Sequence, residues 1–516
     1  MIRASLPFTR LPGLVTRGCF KFKNTHSAMF ATFSGPTTVA AARSARAGAA
    51  VAGDRLRIAK DSVLTGPTAG SANYHSAALA VEVPDDIVPP LVVQQHQLHA
   101  ASSIVAKKSV LNRLWQHIET GEENAFYVVD TSAVEARFNL WMKHLPYVKP
   151  YYAVKCNPDP SILQTLARLG AGFDCASQAE IAQVLAHGVD PRSIIYANPC
   201  KQPSHISYAT QQNIDFMTFD GCDELTKMKR IDPDARVVLR LFVDDSHSQC
   251  PLGTKFGAVL NDVPAILKHA KAIGSNVVGV SFHVGSGCSD ASAYTDAVVR
   301  ARKAFDIGAS LGFDFELLDI GGGFPGDANA PISFESIAST LNAALSTHFP
   351  SDVKIISEPG RFFAATSHTL AVNVIGRKLA PNSLAAFSAA ATSSSPAKAA
   401  RGHRGLHAGA DPYYMYFVND GLYGSFNCLL YDHAQVHPVA LGGSEDQKFS
   451  SSIWGPTCDG LDCIAKDIDM PVLDIGQWIY FANMGAYTSA AGSHFNGFAP
   501  PDKVYFDCHD QHDDEE

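Results

Sequence analysis

Between Tyr151 and Arg361 the chain repeats one pattern eight times: a short apolar run that closes on a polar or glycine-rich tip. The runs are YYAVK ending at Lys155, GFD at Asp174, IIYAN at Asn198, FMTFD at Asp220, VVLR at Arg240, VVGVSFH at His283, FELLDIGGG over Asp319 to Gly323, and KIISEPGR over Glu358 to Arg361. The segments between them carry helical spacing, as in Ile162–Leu166–Leu169, Ile181–Val184–Leu185 and Val263–Ile266–Leu267. Buried parallel strands alternating with helices predict an α/β protein whose first choice is a (β/α)8 barrel with its site at the C-terminal strand ends. Pattern alone leaves a doubly wound open sheet as the alternative. After about residue 370 the texture changes to β-branched and aromatic runs with glycine turns, YMYFVNDGLYGSF and VLDIGQWIYF, which predict a second, mostly β domain.

The rest of the chain is compositionally distinct. Residues 1–53 hold Arg3, Arg10, Arg17, Lys21, Lys23, Arg43 and Arg46 and no acid before Asp54. That is the composition of a mitochondrial or plastid transit peptide; a disordered extension, or a start at Met29, are the alternatives. Residues 380–410 are rich in Ala and Ser, without an acid, and read as a surface loop inserted between strands. The expected organisation is an extension over 1–94, a segment joining the β domain over 95–130, the barrel over 131–367, the β domain over 368–510, and an acidic tail over 511–516.

Composition narrows the function classes. The net charge of −9 gives no basic face for nucleic acid, and no run of about 18 apolar residues exists to span a membrane. Eleven scattered cysteines without a C-x-x-C pair describe neither a disulfide framework nor a zinc site, and point to a reduced compartment. A soluble intracellular enzyme without a metal is the expectation.

Five features carry chemistry. Lys155 ends an apolar run, where partial burial would lower its pKa and free the amine as a nucleophile; taken alone, a surface lysine covering apolar area is the simpler reading. Gly321, Gly322 and Gly323 follow a strand, so their backbone N–H groups can form an anion-binding concavity, though they match neither a Walker nor a Rossmann order. Glu358 and Arg361 can address opposite ends of one small ligand, or form an intra-loop ion pair worth little. His283 precedes Gly and Ser that permit close ligand approach, yet a core histidine is as simple. Cys458, in WGPTCDGLD, is a thiol flanked by acids in a tight turn, structural or reactive. Pyridoxal phosphate makes sense of them together, since it needs a lysine anchor, a nest with an arginine for its phosphate, and an acid or base at the pyridine nitrogen.

The motifs PYYAVKCN, FDCAS, IIYANPCK, SFHVGSGC, LDIGGGFPG, SEPGR, FVNDGLYGSFNCLLYDH, WGPTCDGLD and ANMGAYT occur in order over roughly residues 95 to 505. In these the chain resembles the eukaryotic ornithine decarboxylases, pyridoxal-phosphate-dependent decarboxylases of fold type III. The resemblance implies an alanine-racemase-like barrel plus a C-terminal β domain, and conversion of L-ornithine to putrescine and CO2 for polyamine synthesis. It makes Lys155 the covalent cofactor anchor and Glu358 the acid at the pyridine nitrogen, where racemases of this fold carry an arginine. Asp174 and Glu180 become acids near the cofactor edge, Arg240 a supporting arginine, and His283 the ring that stacks on the cofactor. Ser286, Gly321, Gly322, Gly323, Arg361 and Tyr487 are implied for the phosphate. Asp432, after Tyr431, and Asp459 are implied for the distal ammonium of ornithine, with Phe495 as an aromatic wall. Cys458 is implied to return a proton to Cα. Asp459 and Cys458 would come from the neighbouring subunit of a homodimer. The family is mostly cytosolic, with an organelle as the alternative through residues 1–53. Antizyme is a possible partner through residues near 203–230, which equally fit a helix–strand unit. The alternatives are a lysine or dual-specificity decarboxylase, one methylene apart in substrate, and a non-catalytic regulator of the antizyme-inhibitor kind.

Overall fold

The computed structural model describes residues 107–327, 329–380, 412–442 and 447–506. The N-terminal extension, residues 381–410 of the Ala/Ser segment and the tail at 511–516 lie outside the described residues. α1 (Lys108–Ile118) leads to β1 (Phe126–Asp130), and α2 (Thr131–His144) follows at once. Asp130 makes the corner: its carboxylate accepts from the Ser132 amide at 3.0 Å, supplying the partner that a first helical turn lacks.

Eight parallel strands then close into a barrel. They are β2 (Val148–Ala153), β3 (Gly172–Cys175), β4 (Ile194–Tyr196), β5 (Phe216–Phe219) and β6 (Arg236–Arg240), then, past a short β7 (Ser248–Cys250), β8 (Asn276–Ser281), and, past β9 (Ser286–Cys288), β10 (Leu317–Asp319) and β11 (Lys354–Ser357). β11 pairs back onto β2, which excludes the open sheet. Every one of the eight apolar runs is a barrel strand. β7 and β9 stand outside the ring and pair antiparallel with each other. The connecting helices are α3 (Pro160–Arg168), α4 (Gln178–Ala186), α5 (Pro203–Gln211), α6 (Cys222–Ile231), α7 (Val263–Ala272), α8 (Ser292–Ser310) and α9 (Phe334–His348). One detail differs from eight strand–helix units: α2 precedes β2, and β11 is followed only by the four-residue α10 (Arg361–Ala364) before the chain leaves the barrel.

The barrel interior is a packed plug. Tyr151, Ile195, Phe216, Val238, Val278, Leu317 and Ile356 form one buried cluster, each from a different strand. β3 contributes Gly172 instead, because the Tyr151 ring occupies its side-chain space: a Cβ there would lie 2.6 Å from that ring. Burial of each large apolar side chain contributes roughly 1.5–3 kcal/mol.

The second sheet runs β14 (Pro438–Leu441), β17 (Trp478–Phe481), β12 (His368–Ala380), β13 (Tyr413–Val418), β15 (Lys448–Trp454), β16 (Cys463–Pro471), with β1 against β12 and β18 (Asp502–Phe506) against β1. The barrel is therefore inserted in the chain between two neighbouring strands of the β domain. Period-two alternation divides its faces: Tyr127, Val129, Leu370, Val372, Ile479 and Phe481 enter one core, while Phe126, Val128, Ala371, Trp478 and Tyr480 meet Val110 and Leu114 of α1 in another. The turn after β17 returns to the barrel, where the Tyr487 amide donates to the Cys156 carbonyl at 2.9 Å and Asn157 Nδ2 to the Gly485 carbonyl at 2.8 Å. No helix among the described residues is long and apolar enough to cross a membrane.

Candidate active site

The C-terminal ends of β2, β8, β10 and β11 open onto a cleft of about 290 Å³. Lys155, His283, Ser286, Gly323, Glu358 and Arg361 line it from the barrel, and Tyr487 from the β domain. Lys155 sits in a one-turn 3-10 segment, Val154–Cys156, because β2 already ends at Ala153. Its ammonium is ion-paired with Asp174, a fully buried residue on β3.

This pairing corrects the expected activation of Lys155. Burial works against its charge, but the nearby acids Asp174 and Glu358 prevail, and its pKa is raised rather than lowered. Without a ligand the amine is held as the cation.

Opposite the lysine stands an acid pair that the motifs did not single out. Asp319 ends β10, fully buried, and accepts from the Gly321 amide at 2.9 Å. Burial raises both Asp319 and Glu358, and Asp174 adds to each; the charge of Asp319 raises Glu358 further, whereas Glu358 and the Gly321 amide pull Asp319 down. Glu358 is pushed well above the usual carboxylate range, toward its protonated form, and Asp319 Oδ2 is buried without a partner. An acid at a strand tip resembles any helix cap in sequence, which is why Asp319 carried no signal of its own.

His283 follows β8, and its Nδ1 accepts from the Gly285 amide at 3.0 Å. The ring is neutral with its proton on Nε2: burial, then the charges of Arg240 and Lys155, hold its pKa well below the ordinary value. Arg240 itself lies against the Phe256 ring, 5.2 Å from its centroid, and acts on the site through its charge. Glu180 is occupied as a cap: its carboxylate accepts from the Ala176 amide at 2.6 Å, while Ser177 Oγ accepts from the Glu180 amide. It touches the cleft only electrostatically, and burial raises its pKa.

The glycine triplet packs where no side chain fits. Gly321 has φ +63° and a Cβ there would overlap the Phe282 carbonyl; at Gly323, with φ +104°, it would lie 2.6 Å from the Gly285 carbonyl. Arg361 Nη2 donates to Ser286 Oγ at 2.7 Å, and the guanidinium lies 5.0 Å from the Tyr487 ring centroid. Tyr487 takes φ +55°, a strained backbone for an aromatic residue, and strain of this kind concentrates at sites. Arg361 also forks onto Asp432, which is 6% exposed, whereas the adjacent Tyr431 is 73% exposed.

The remaining expected residues gather elsewhere on the same chain. Asp459 accepts from the Tyr423 hydroxyl, and Tyr423 stacks on Phe495 with centroids 4.3 Å apart. Tyr423 and Phe495 line a separate cavity of about 520 Å³ in the β domain. Cys458 is exposed on the adjoining turn. That turn is held by Asp462, whose carboxylate accepts from the amides of Leu422 and Thr457. Within one chain, Cys458, Asp459 and Phe495 do not line the Lys155 cleft. Tyr423 is a further residue that the motifs did not single out, since one tyrosine in an aromatic β segment looks like core.

The cleft suits pyridoxal phosphate. Arg361 Nε and Asp174 Oδ1 are buried without a partner, as groups poised for a ligand are, and Gly323 brings backbone without a side chain to the wall of the cleft. A lysine on one wall, a protonatable acid on another, and an arginine with a serine beside a glycine loop define a barrel enzyme that uses this cofactor. Residues 131–365 match the family described as "Pyridoxal-dependent decarboxylase, pyridoxal binding domain". The chain is 45% identical over 417 residues to ornithine decarboxylase of Rattus norvegicus, covering 80% of this chain and 87% of that one. It is 48% identical over 384 residues to antizyme inhibitor 2 of Xenopus laevis, covering 74% and 80%. Among solved structures, arginine decarboxylase of Paramecium bursaria Chlorella virus superposes with TM-score 0.69 at 33% identity, covering 77% of this chain and all of that one. The chain belongs to the ornithine decarboxylase family of pyridoxal-phosphate-dependent decarboxylases.

Proposed function

We infer that this protein decarboxylates L-ornithine to putrescine with pyridoxal phosphate. The observation that carries the reading is the single cleft holding Lys155, Asp174, Glu358, His283 and the Arg361–Ser286 pair. Bound there, the cofactor supplies an electron sink for the pair left on Cα as the Cα–carboxylate bond breaks and CO2 leaves. The chain's own residues do the rest. Lys155 is the amine that would hold the cofactor covalently, and Asp174 keeps it oriented. Glu358, raised by burial and by Asp319, keeps a proton where the pyridine nitrogen needs one. His283, neutral and pinned by the Gly285 amide, offers a flat face. Ser286, Arg361, Tyr487 and the glycine loop hold the phosphate. Glu180 and Arg240 set the field around these groups.

At the substrate end, Asp432 and Asp459 receive the distal ammonium, Tyr431 and Phe495 border it, and Cys458 returns a proton to Cα from its S–H. Since Cys458, Asp459 and Phe495 lie apart from the cleft of their own chain, the active form in this reading is a homodimer whose sites combine both copies. The cytoplasm is its compartment, with a mitochondrion or plastid as the alternative; the N-terminus of the mature protein decides between them. Antizyme is a proposed partner through residues 203–230, which here are α5, β5 and α6.

The likeness to an antizyme inhibitor favours a second reading, a regulator without turnover. A regulator needs no anchoring lysine, and the complete cradle around Lys155 speaks for the enzyme. One assay separates the readings: CO2 release with cofactor and ornithine, lysine or arginine, with Lys155→Ala as control. Ornithine turnover abolished in the variant supports the enzyme. Equal lysine turnover moves it to dual specificity, because one methylene is worth only about 1–3 kcal/mol. Cofactor binding without turnover on any of the three leaves the regulator.

A further inference from the structure

Arg137 stands outside every motif, on the α2 helix behind the glycine loop. Its Nε donates to the Phe362 carbonyl at 2.8 Å and its Nη2 to the Pro325 carbonyl at 3.0 Å. Its guanidinium lies 4.0 Å from the Phe362 ring centroid. The two carbonyls belong to the two segments that build the phosphate cradle: Pro325 lies two residues beyond Gly323, and Phe362 directly follows Arg361. These segments also touch without clearance, since a Cβ on Gly326 would be 2.6 Å from Ala365 Cβ and 2.9 Å from the Arg361 carbonyl.

We propose that Arg137 is a positioning residue for the cofactor phosphate: its forked donors tie the Gly321–Gly326 loop to the Arg361 turn and set the width of the cradle between them. The planar guanidinium serves the two carbonyls from donors held in a fixed fork, a geometry that a lysine ammonium on its flexible stem does not impose. The aromatic cluster of Trp141, Phe324, Phe334 and Phe362 also packs both segments onto α2, but it is non-directional and sets no hydrogen-bond register. The proposal rests on the cofactor reading above.

The test compares Arg137→Met with the parent full-length protein, stripped of cofactor and titrated with pyridoxal phosphate and, separately, with pyridoxal. In the parent, the phosphate should tighten binding strongly; if it does not, the cofactor reading itself fails. In Arg137→Met, affinity for pyridoxal phosphate should fall roughly tenfold, as expected for two lost charge-assisted bonds, while affinity for pyridoxal stays the same. Equal loss for both ligands, or no loss for either, overturns the proposal. If Arg137→Met does not fold, Arg137→Lys keeps the charge but loses the fixed planar fork, and is read by the same ratio of affinities; a ratio equal to the parent's overturns the proposal there too.

Discussion

Arg361 donates to both carboxylate oxygens of Asp432, at 2.9 and 2.7 Å, and with the same Nη2 to Ser286 at 2.7 Å. One guanidinium therefore joins the residues assigned to the phosphate with the acid assigned to the substrate's far ammonium. Asp432→Asn removes the charge assigned to that ammonium but leaves Arg361 free for phosphate. The KM for ornithine should rise about tenfold or more, while cofactor affinity is not weakened. Steady-state kinetics and a cofactor titration check the two halves separately.

Asp319 has no ligand to touch, yet it sets the proton on Glu358. Asp319→Asn removes a buried negative charge beside Glu358, so Glu358 should give up its proton at lower pH. The pH dependence of cofactor absorbance in the loaded enzyme should show its transition moved to lower pH, whereas an unmoved transition would mean that burial alone governs Glu358.

His368 is buried where β12 leaves the barrel, with Ser367 Oγ 2.8 Å from Nδ1 and Asn157 Nδ2 3.4 Å from Nε2. Burial lowers its pKa to about 4 from an ordinary 6.5, despite Asp159, with Lys503 adding to the fall. The unfolded chain binds the proton first, so stability is complete above pH 6.5 and is lost as pH falls toward 4. The contribution is about 3 kcal/mol. Melting temperatures taken from pH 7.5 to 5 should fall for the parent and fall less for His368→Gln.

Lys155→Ala and Cys458→Ala variants should each lose nearly all turnover. Mixed and allowed to exchange subunits, they should recover about a quarter of the parental activity, because half the dimers would then carry one intact site of two. No recovery would show that both residues act within one chain.

Much of this was legible because it is local. The eight strand tips announce themselves by burial alternating with turn residues, and Lys155, His283, Gly321–Gly323, Glu358 and Arg361 each sit directly on such a tip. Asp319 and Tyr423 were not legible, since an acid at a strand end and an aromatic in a glycine-rich turn have ordinary structural explanations. Arg137 was hidden for another reason: the carbonyls it holds come from residues 325 and 362, and a carbonyl has no sequence signature.

What the sequence by itself determined is the number and order of the barrel strands, the β texture of the second domain and the set of residues with the right chemistry. Tertiary structure alone decided that the sheet closes through β11 onto β2, that the barrel lies between β1 and β12 of another sheet, and that Lys155 is held charged. The last of these ran against the expectation from burial. A pKa depends on through-space distance to other charges, and the distances from Lys155 to Asp174 and Glu358 exist only once the barrel has closed.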